Sequence, residues 1–200
     1  MSFADSLLEQ AAVYRLWQTP FAKRKLAPID ESGDIARARR VLDIACGPGT
    51  NAARFSHTDY VGVDINDKYV AAARRRHRGR FIATDVTAPM QEDLGKFDFI
   101  LMNSFLHHLS AAEAMRVLVA SRSLLAPGGH IHVLDLVLPQ RASVARYLAL
   151  ADRGRFPRPV DEWRVMFAGV FETVSFARYD LSAFGVPLWE MIYFKGASAL

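Results

Sequence analysis

The sequence has a single cysteine, Cys46, in 200 residues, so no internal disulfide can form and a reducing, cytoplasmic setting is expected. It lacks any apolar run near the roughly 18 residues that a membrane span needs, so no membrane partner is expected. Met1 to Gln10 carries Asp5 and Glu9, with no basic start leading into an apolar block, which argues against a signal peptide. Repeats, low-complexity tracts and long linkers are also missing. With only 12 Gly and 9 Pro, collagen-like, coiled-coil and disordered chains are excluded. What remains is 51% hydrophobic and 23% charged, enough to bury the core of one domain. The net charge of +4 is too mild to name a partner before the charges are located.

The first forty residues read as helical and basic, with an amphipathic stretch from Phe3 to Trp17, then Pro20, Lys23, Arg24 and Lys25. From Val41 the texture changes. Short β-rich runs (Val41–Ile44, Tyr60–Asp64, Arg80–Thr84, Phe97–Met102 and His130–Leu134) alternate with helical patterns. Asn66 is placed to cap a helix to about Arg76. Ser110 and Glu113 form a capping box, each side chain satisfying the other end's free N–H. The helix they open carries Ala114, Val117, Leu118, Leu124 and Leu125 at helical period. Asp161 is expected to cap a short helix with Trp163, Met166 and Phe167 on one face. Two strand-like runs follow, about 170–179 and 188–195, with no room for a crossover helix between them, so they form an antiparallel hairpin. The expected fold is α/β, a three-layer sandwich whose mostly parallel seven-stranded sheet ends in that hairpin. Residues 1–40 are expected to cover a cofactor site on the core, residues 41–200, with an acceptor-wall insertion at about 139–169.

Open α/β sheets bind ligands beyond the carboxyl ends of their strands. Here the first strand runs into Ala45-Cys46-Gly47-Pro48-Gly49-Thr50-Asn51, where glycines let the backbone approach a ligand that a Cβ would meet. Asp64 ends the second strand, where a carboxylate can accept both hydroxyls of a ribose. Asp85 ends the third and can receive an exocyclic amino group of adenine, with the Val86 amide for a ring nitrogen. A nucleoside-bearing cofactor follows. The relaxed dinucleotide fingerprint Gly47-x-Gly49-x-x-Ala52 keeps an NAD-dependent oxidoreductase as a rival. Against it stand Asp43 inside the strand, Asp85 on the third unit, and a hairpin in place of a second βαβ half.

The run Val41-Leu42-Asp43-Ile44-Ala45-Cys46-Gly47-Pro48-Gly49-Thr50 resembles motif I of the class I S-adenosylmethionine-dependent methyltransferases. The resemblance continues through Val61-Gly62-Val63-Asp64, Ala83-Thr84-Asp85-Val86, Phe97-Asp98-Phe99-Ile100 and Leu125-Ala126-Pro127-Gly128-Gly129. It implies S-adenosyl-L-methionine as cofactor. Asp43, Ala45, Gly47 and Gly49 would surround the methionine moiety, Asp64 the ribose, and Asp85 and Val86 the adenine. Asn103 would lie near the transferred methyl, and Asn51, Ile65 and Ser104 complete the expected cofactor set. Ala45 stands where the family pattern usually has glycine.

A small-molecule acceptor is expected. Base-methylating enzymes carry an Asn/Asp-Pro-Pro-aromatic motif after the fourth strand, whereas this chain has Asn103-Ser104-Phe105-Leu106. The cluster Arg74-Arg75-Arg76-His77-Arg78 suits a solvated helix C-terminus, which favours cations, so nucleic acid is not expected as a partner. An RNA or protein methyltransferase and a non-catalytic cofactor-binding module stay open as rivals, as do the acceptor atom and the oligomeric state. His107 is the candidate general base, with His108 beside it and Asp135 in reserve. Neither histidine belongs to a metal-ligand spacing, so no metal is expected. Arg153-Gly154-Arg155-Phe156-Pro157-Arg158 is a candidate contact for an anionic acceptor.

Overall fold

The computed structural model describes residues 21–89, 93–152 and 154–198; the amphipathic stretch from Phe3 to Trp17, with Tyr14 and Gln18 of the expected cover, lies outside them. In chain order the elements are α1 (Ala22–Ser32), β1 (Arg40–Ile44), β2 (Asp59–Asp64), α2 (Asp67–Arg76), β3 (Arg80–Ala83), β4 (Phe97–Asn103), α3 (Ala111–Leu124), β5 (Leu125–Leu136), α4 (Val144–Ala151), α5 (Val160–Ala168), β6 (Glu172–Ala183) and β7 (Val186–Ala197). No helix among the described residues is long and apolar enough to cross a membrane.

The seven strands form one sheet in the order β3-β2-β1-β4-β5-β7-β6. β1 to β5 run parallel, and β7 is antiparallel to both β5 and β6. Strand order reverses between β1 and β4, which opens a crevice at their carboxyl ends. The central strands are buried on both faces and so read as nearly continuous apolar runs. Leu42, Ile44, Ile100, Met102, Ile131 and Val133 meet Val117 and Leu118 of α3 and Trp163 and Phe167 of α5. On the opposite face Val41, Tyr60, Phe99, Leu101 and Leu134 meet Ile29 of α1 and Val70 and Ala73 of α2. These are the three layers.

Local signals set the boundaries. The Asn66 side chain accepts from the amides of Lys68 and Tyr69 at the start of α2, and the Ser110–Glu113 capping box opens α3. α5 differs from expectation. Its N-cap is Pro159, without a side-chain cap, and Asp161 lies in its first turn. The fixed φ of proline suits a helix entrance, while an acid one turn in still complements the dipole. The hairpin is longer than expected and takes Pro187 into β7. It closes on Phe184 and Gly185, both left-handed at φ 51° and 77°, the two-residue turn that matches strand twist. α1 joins the layer beneath β1 through Ile29 and reaches the hairpin, Arg24 donating to the Ser182 carbonyl (3.2 Å) and Tyr179 to the Lys25 carbonyl (2.7 Å).

Candidate active site

Asp43, on the last turn of the pleat before β1 ends, is buried. Its Oδ2 accepts from the Tyr60 hydroxyl (2.6 Å) and from Asn51 Nδ2 (3.2 Å), while its Oδ1 has no partner among the described residues. Burial pushes the carboxyl up to about 6, against those two hydrogen bonds, and the charge of Asp64 adds to the rise. Asn51 is therefore spent on orienting Asp43.

The loop after β1 is left-handed three times, at Ala45 (φ 59°), Gly47 (φ 55°) and Gly49 (φ 80°). The two glycines do different things. A Cβ on Gly47 would meet nothing within 4 Å among the described residues; one on Gly49 would lie 2.7 Å from His77 Cδ2, so this glycine lets α2 pack against the loop. Ala45 bears the steric cost that glycine avoids, about 1–2 kcal/mol. Behind the loop Cys46 is buried against Gly62, where an added Cβ would lie 2.8 Å from its sulfur. Burial pushes the thiol up, and Asp43 and Asp64 reinforce it.

Asp64 fastens the loop to the end of β2, its Oδ2 accepting from the Gly47 amide and its Oδ1 from the Asn66 amide, both at 2.8 Å. Each oxygen keeps a further lone pair, enough for two vicinal hydroxyls. Ile65 follows, 70% exposed although apolar, a flat surface beside that carboxylate. Past β3, Asp85 Oδ1 accepts from the amide (2.8 Å) and hydroxyl (2.7 Å) of Thr87, which hold its carboxyl below the usual range. Val86 is partly buried against the core. On the other side of the crevice, Asn103 ends β4 with a buried Oδ1 that has no partner among the described residues. Ser104 follows at φ 53° and donates its amide to the Leu134 carbonyl at 2.8 Å.

The β4–β5 end is built differently. A short 3-10 turn, Leu106–His108, follows β4. His107 is 3% exposed with both ring nitrogens facing carboxylates: Nδ1 is 2.5 Å from Asp135 Oδ1 and Nε2 is 3.1 Å from Asp152 Oδ2. Burial works against its charge, but Asp135 and Asp152 outweigh it and hold the ring at about 9. Asp135, fully buried at the end of β5, also accepts from the amides of Leu106 (2.8 Å) and Leu136 (2.7 Å). His108 is exposed, its ring 4.2 Å from that of His107. Burial lowers Lys25 of α1 to about 8, against the pull of Asp135 and Asp152, so all three share one electrostatic neighbourhood.

Arg158 is not available to an acceptor. It is 3% exposed and donates to the carbonyls of Leu106 (3.0 Å), Leu109 (2.6 Å) and Phe156 (3.2 Å), with Glu162 3.1 Å from its Nε. Arg155 is exposed, and Arg153 lies outside the described residues. Asp152 and Glu162 take part in this network although sequence reasoning did not single them out; the signal for Asp152 is a lone acid in a basic, aromatic stretch.

The residues from β1 to the glycine pair within β5 match a known family. Positions 41–129 correspond to the family described as "Methyltransferase domain". Over those positions, a little under half of its length, the chain is similar to methyltransferase domains. A ubiquinone/menaquinone biosynthesis C-methyltransferase UbiE of Idiomarina loihiensis is 31% identical over 143 residues, 66% of this chain and 53% of that protein. A trans-aconitate 2-methyltransferase of Variovorax paradoxus is 29% identical over 175 residues, 80% of this chain and 62% of that protein. The chain spans about half the length of several curated relatives that it matches. In architecture it is similar to an S-adenosylmethionine-dependent methyltransferase of Clostridium acetobutylicum, with a TM-score of 0.72 at 12% identity over 97% of this chain and 100% of that one.

The crevice offers polar groups that fit S-adenosylmethionine. Two buried oxygens without partners among the described residues, Asp43 Oδ1 and Asn103 Oδ1, suit an ammonium group. The open face of Gly47 suits close approach, and Asp64 suits a ribose. Strand pairing makes the ends of β3, β2, β1 and β4 contiguous: Asp64 pairs with Ala83, Asp43 with Gly62 and with Leu101.

Proposed function

We propose that this chain transfers a methyl group from S-adenosylmethionine to a small-molecule acceptor held beside the β4–β5 end. The observation that carries the reading is the pair of buried, unpartnered oxygens on either side of the strand-order reversal, Asp43 Oδ1 and Asn103 Oδ1. Leaving them without donors costs the free chain on the order of 1–3 kcal/mol each, a cost that a cationic ligand end removes. Asp64 would hold the ribose and Asp85 with Val86 the adenine, with Ile65 against its face. The methionine end would lie along Ala45, Gly47 and Gly49.

When bound, the cofactor supplies an electrophilic methyl on a sulfonium. The work left to the chain is alignment of acceptor, methyl and sulfur in a line, worth roughly 7–11 kcal/mol of the barrier. His107 and Asp135 serve that alignment. Facing carboxylates on both ring nitrogens, which keep it protonated at neutral pH, His107 takes no proton from an acceptor, so we assign it as a positioning residue for the β4–α3 turn. α1 and the segment 139–169, which carries α4 and α5, would flank the acceptor. The names of the relatives, a quinone-biosynthesis C-methyltransferase and a trans-aconitate methyltransferase, support an organic small molecule over nucleic acid or protein.

The experiment is incubation with methyl-labelled cofactor and a fractionated metabolite extract, followed by identification of the labelled product. A labelled metabolite is expected. Label confined to RNA or protein would overturn the acceptor class, and calorimetry showing binding of NAD but not of S-adenosylmethionine would overturn the whole reading.

A further inference from the structure

We propose that the turn after β4 is a site for a divalent transition-metal ion, with His107 Nε2, a ring nitrogen of His108 and a carboxylate oxygen of Asp152 as its ligands. The three ligand atoms all lie within 4.8 Å of one another. Nε2 of His107 and Oδ2 of Asp152 are 3.1 Å apart, close to the roughly 3.3 Å between neighbouring ligands of a tetrahedral ion at bond lengths near 2.0–2.1 Å; the ion would replace the proton shared between them, which is released to solvent. The two rings belong to consecutive residues, yet the 3-10 turn brings their centroids to 4.2 Å. Small side-chain rotations bring the third ligand atom in.

The surroundings are those of a ligand set rather than of a chance cluster. A metal-bound histidine characteristically gives its other ring N–H to a carboxylate, which fixes the tautomer and the ring plane. Here Nδ1 of His107 meets Asp135 Oδ1 at 2.5 Å, and Asp135 is itself held by two backbone amides. The turn that carries both rings is braced by Arg158 on the carbonyls of Leu106 and Leu109 and by the Phe156 amide on the His107 carbonyl (2.9 Å). Gly154 lies so close that a Cβ there would be 2.0 Å from His107 Cδ2. The burial is graded: His107 is buried, Asp152 half-buried and His108 exposed, so a fourth position faces outward. Three protein ligands with one open position is the pattern of a reactive site rather than of a structural one. Two imidazoles and one carboxylate suit zinc, iron or cobalt over magnesium or calcium. Asp135 and Asp152 supply two negative charges, opposed by Lys25 and Arg158. At its open position the ion would take an anionic oxygen of the acceptor; that clause rests on the methyl-transfer reading, whereas metal binding does not. The expectation of no metal came from spacing along the chain, and Asp152 lies 45 residues beyond His107.

The test uses the full chain, stripped with a chelator and titrated with cobalt(II) and zinc(II) alone, followed by visible absorption and calorimetry. One equivalent of cobalt is expected to bind with the strong visible bands of a four- or five-coordinate ion, and zinc to displace it. His108→Ala and Asp152→Asn should each weaken binding by about tenfold or more. Because His108 is exposed and His107 buried, melting temperatures of both variants, measured alongside, separate lost ligation from a loosened turn. Absence of stoichiometric binding, or binding that survives both variants, would overturn the site. S-adenosylmethionine binding by the stripped chain is measured alongside. A chain that binds cobalt but not this cofactor refutes the methyl-transfer reading alone, and the reverse refutes the metal site alone.

Discussion

The two halves of the crevice are built to opposite rules. At the tips of β1, β2 and β3 the chain withholds hydrogen bonds: among the described residues Asp43 Oδ1 has no partner and nothing would crowd a Cβ on Gly47, and three left-handed residues hold the loop. At the tips of β4 and β5 beyond Ser104, the chain saturates them. His107, Asp135 and Arg158 are all nearly or fully buried, and each makes several polar contacts. A half that must receive a charged ligand keeps acceptors unsatisfied, at a cost to stability. A half that must hold a turn still spends every donor internally. Mutations should therefore divide cleanly, lowering affinity in the first half and stability in the second.

The largest effect should come from the saturated half. Arg158→Met keeps the volume but strands the carbonyls of Leu106 and Leu109, and about 3 kcal/mol of unfolding free energy should be lost in urea titrations. Affinity for S-adenosylmethionine should barely change; an affinity loss matching the stability loss would erase the contrast. Next is Asp64→Ala, which removes the proposed ribose acceptor and the tie to the Gly47 amide. Calorimetry should record a loss of roughly 2–3 kcal/mol in cofactor affinity, with a smaller change in melting temperature.

Asp43→Asn sharpens the comparison, because it should move the two quantities in opposite directions. The folded-state value of Asp43, about 6, lies above the ordinary 3.8. Ionisation therefore costs the folded chain more than the unfolded one. This cost is absent below pH about 4, grows as pH rises and is complete above about 6. Asp43→Asn should thus stabilise the free protein by on the order of 2 kcal/mol at neutral pH and not at all at pH 4, while weakening the cofactor. Equal stability of variant and wild type at pH 7.5 would show that the carboxylate is not strained. Smallest is Ala45→Gly. It relieves a left-handed Cβ but frees the unfolded chain, so a net gain of about 0.5 kcal/mol is expected from denaturant midpoints.

The same division decides what was legible in the sequence. The cofactor half is nearly linear: Asp43, Gly47, Asp64 and Asp85 follow one another on successive βα units, so motif and strand order suffice to assemble it. Even there Gly49 reads as a ligand contact, although its lack of a side chain serves packing against His77, because a motif does not say which partner crowds which glycine. The acceptor half joins residues far apart. His107 meets an acid 28 residues on and another 45 residues on, and Arg158 reaches back 52 residues. The basic run ending at Arg158 is visible as charge, but only packing shows that this guanidinium faces inward to backbone carbonyls. The hairpin was legible from its lack of crossover length, and its extent was not, since the pairing of Ala183 with Val186 depends on the turn conformation.

Cys46 offers a consequence of a different kind. It is the sole thiol of the chain, pressed against Gly62 beneath the β1 loop, with its ionisation suppressed. An alkylating reagent can reach it only when that loop lifts, so labelling under native conditions becomes a clock for openings of the cofactor loop, read at one atom without any engineered probe. A ligand that binds only the closed loop should slow this clock by the factor one plus its concentration over its Kd. Mass spectrometry of a single alkyl adduct against time would then report both how often the loop lifts and how tightly a candidate cofactor holds it down.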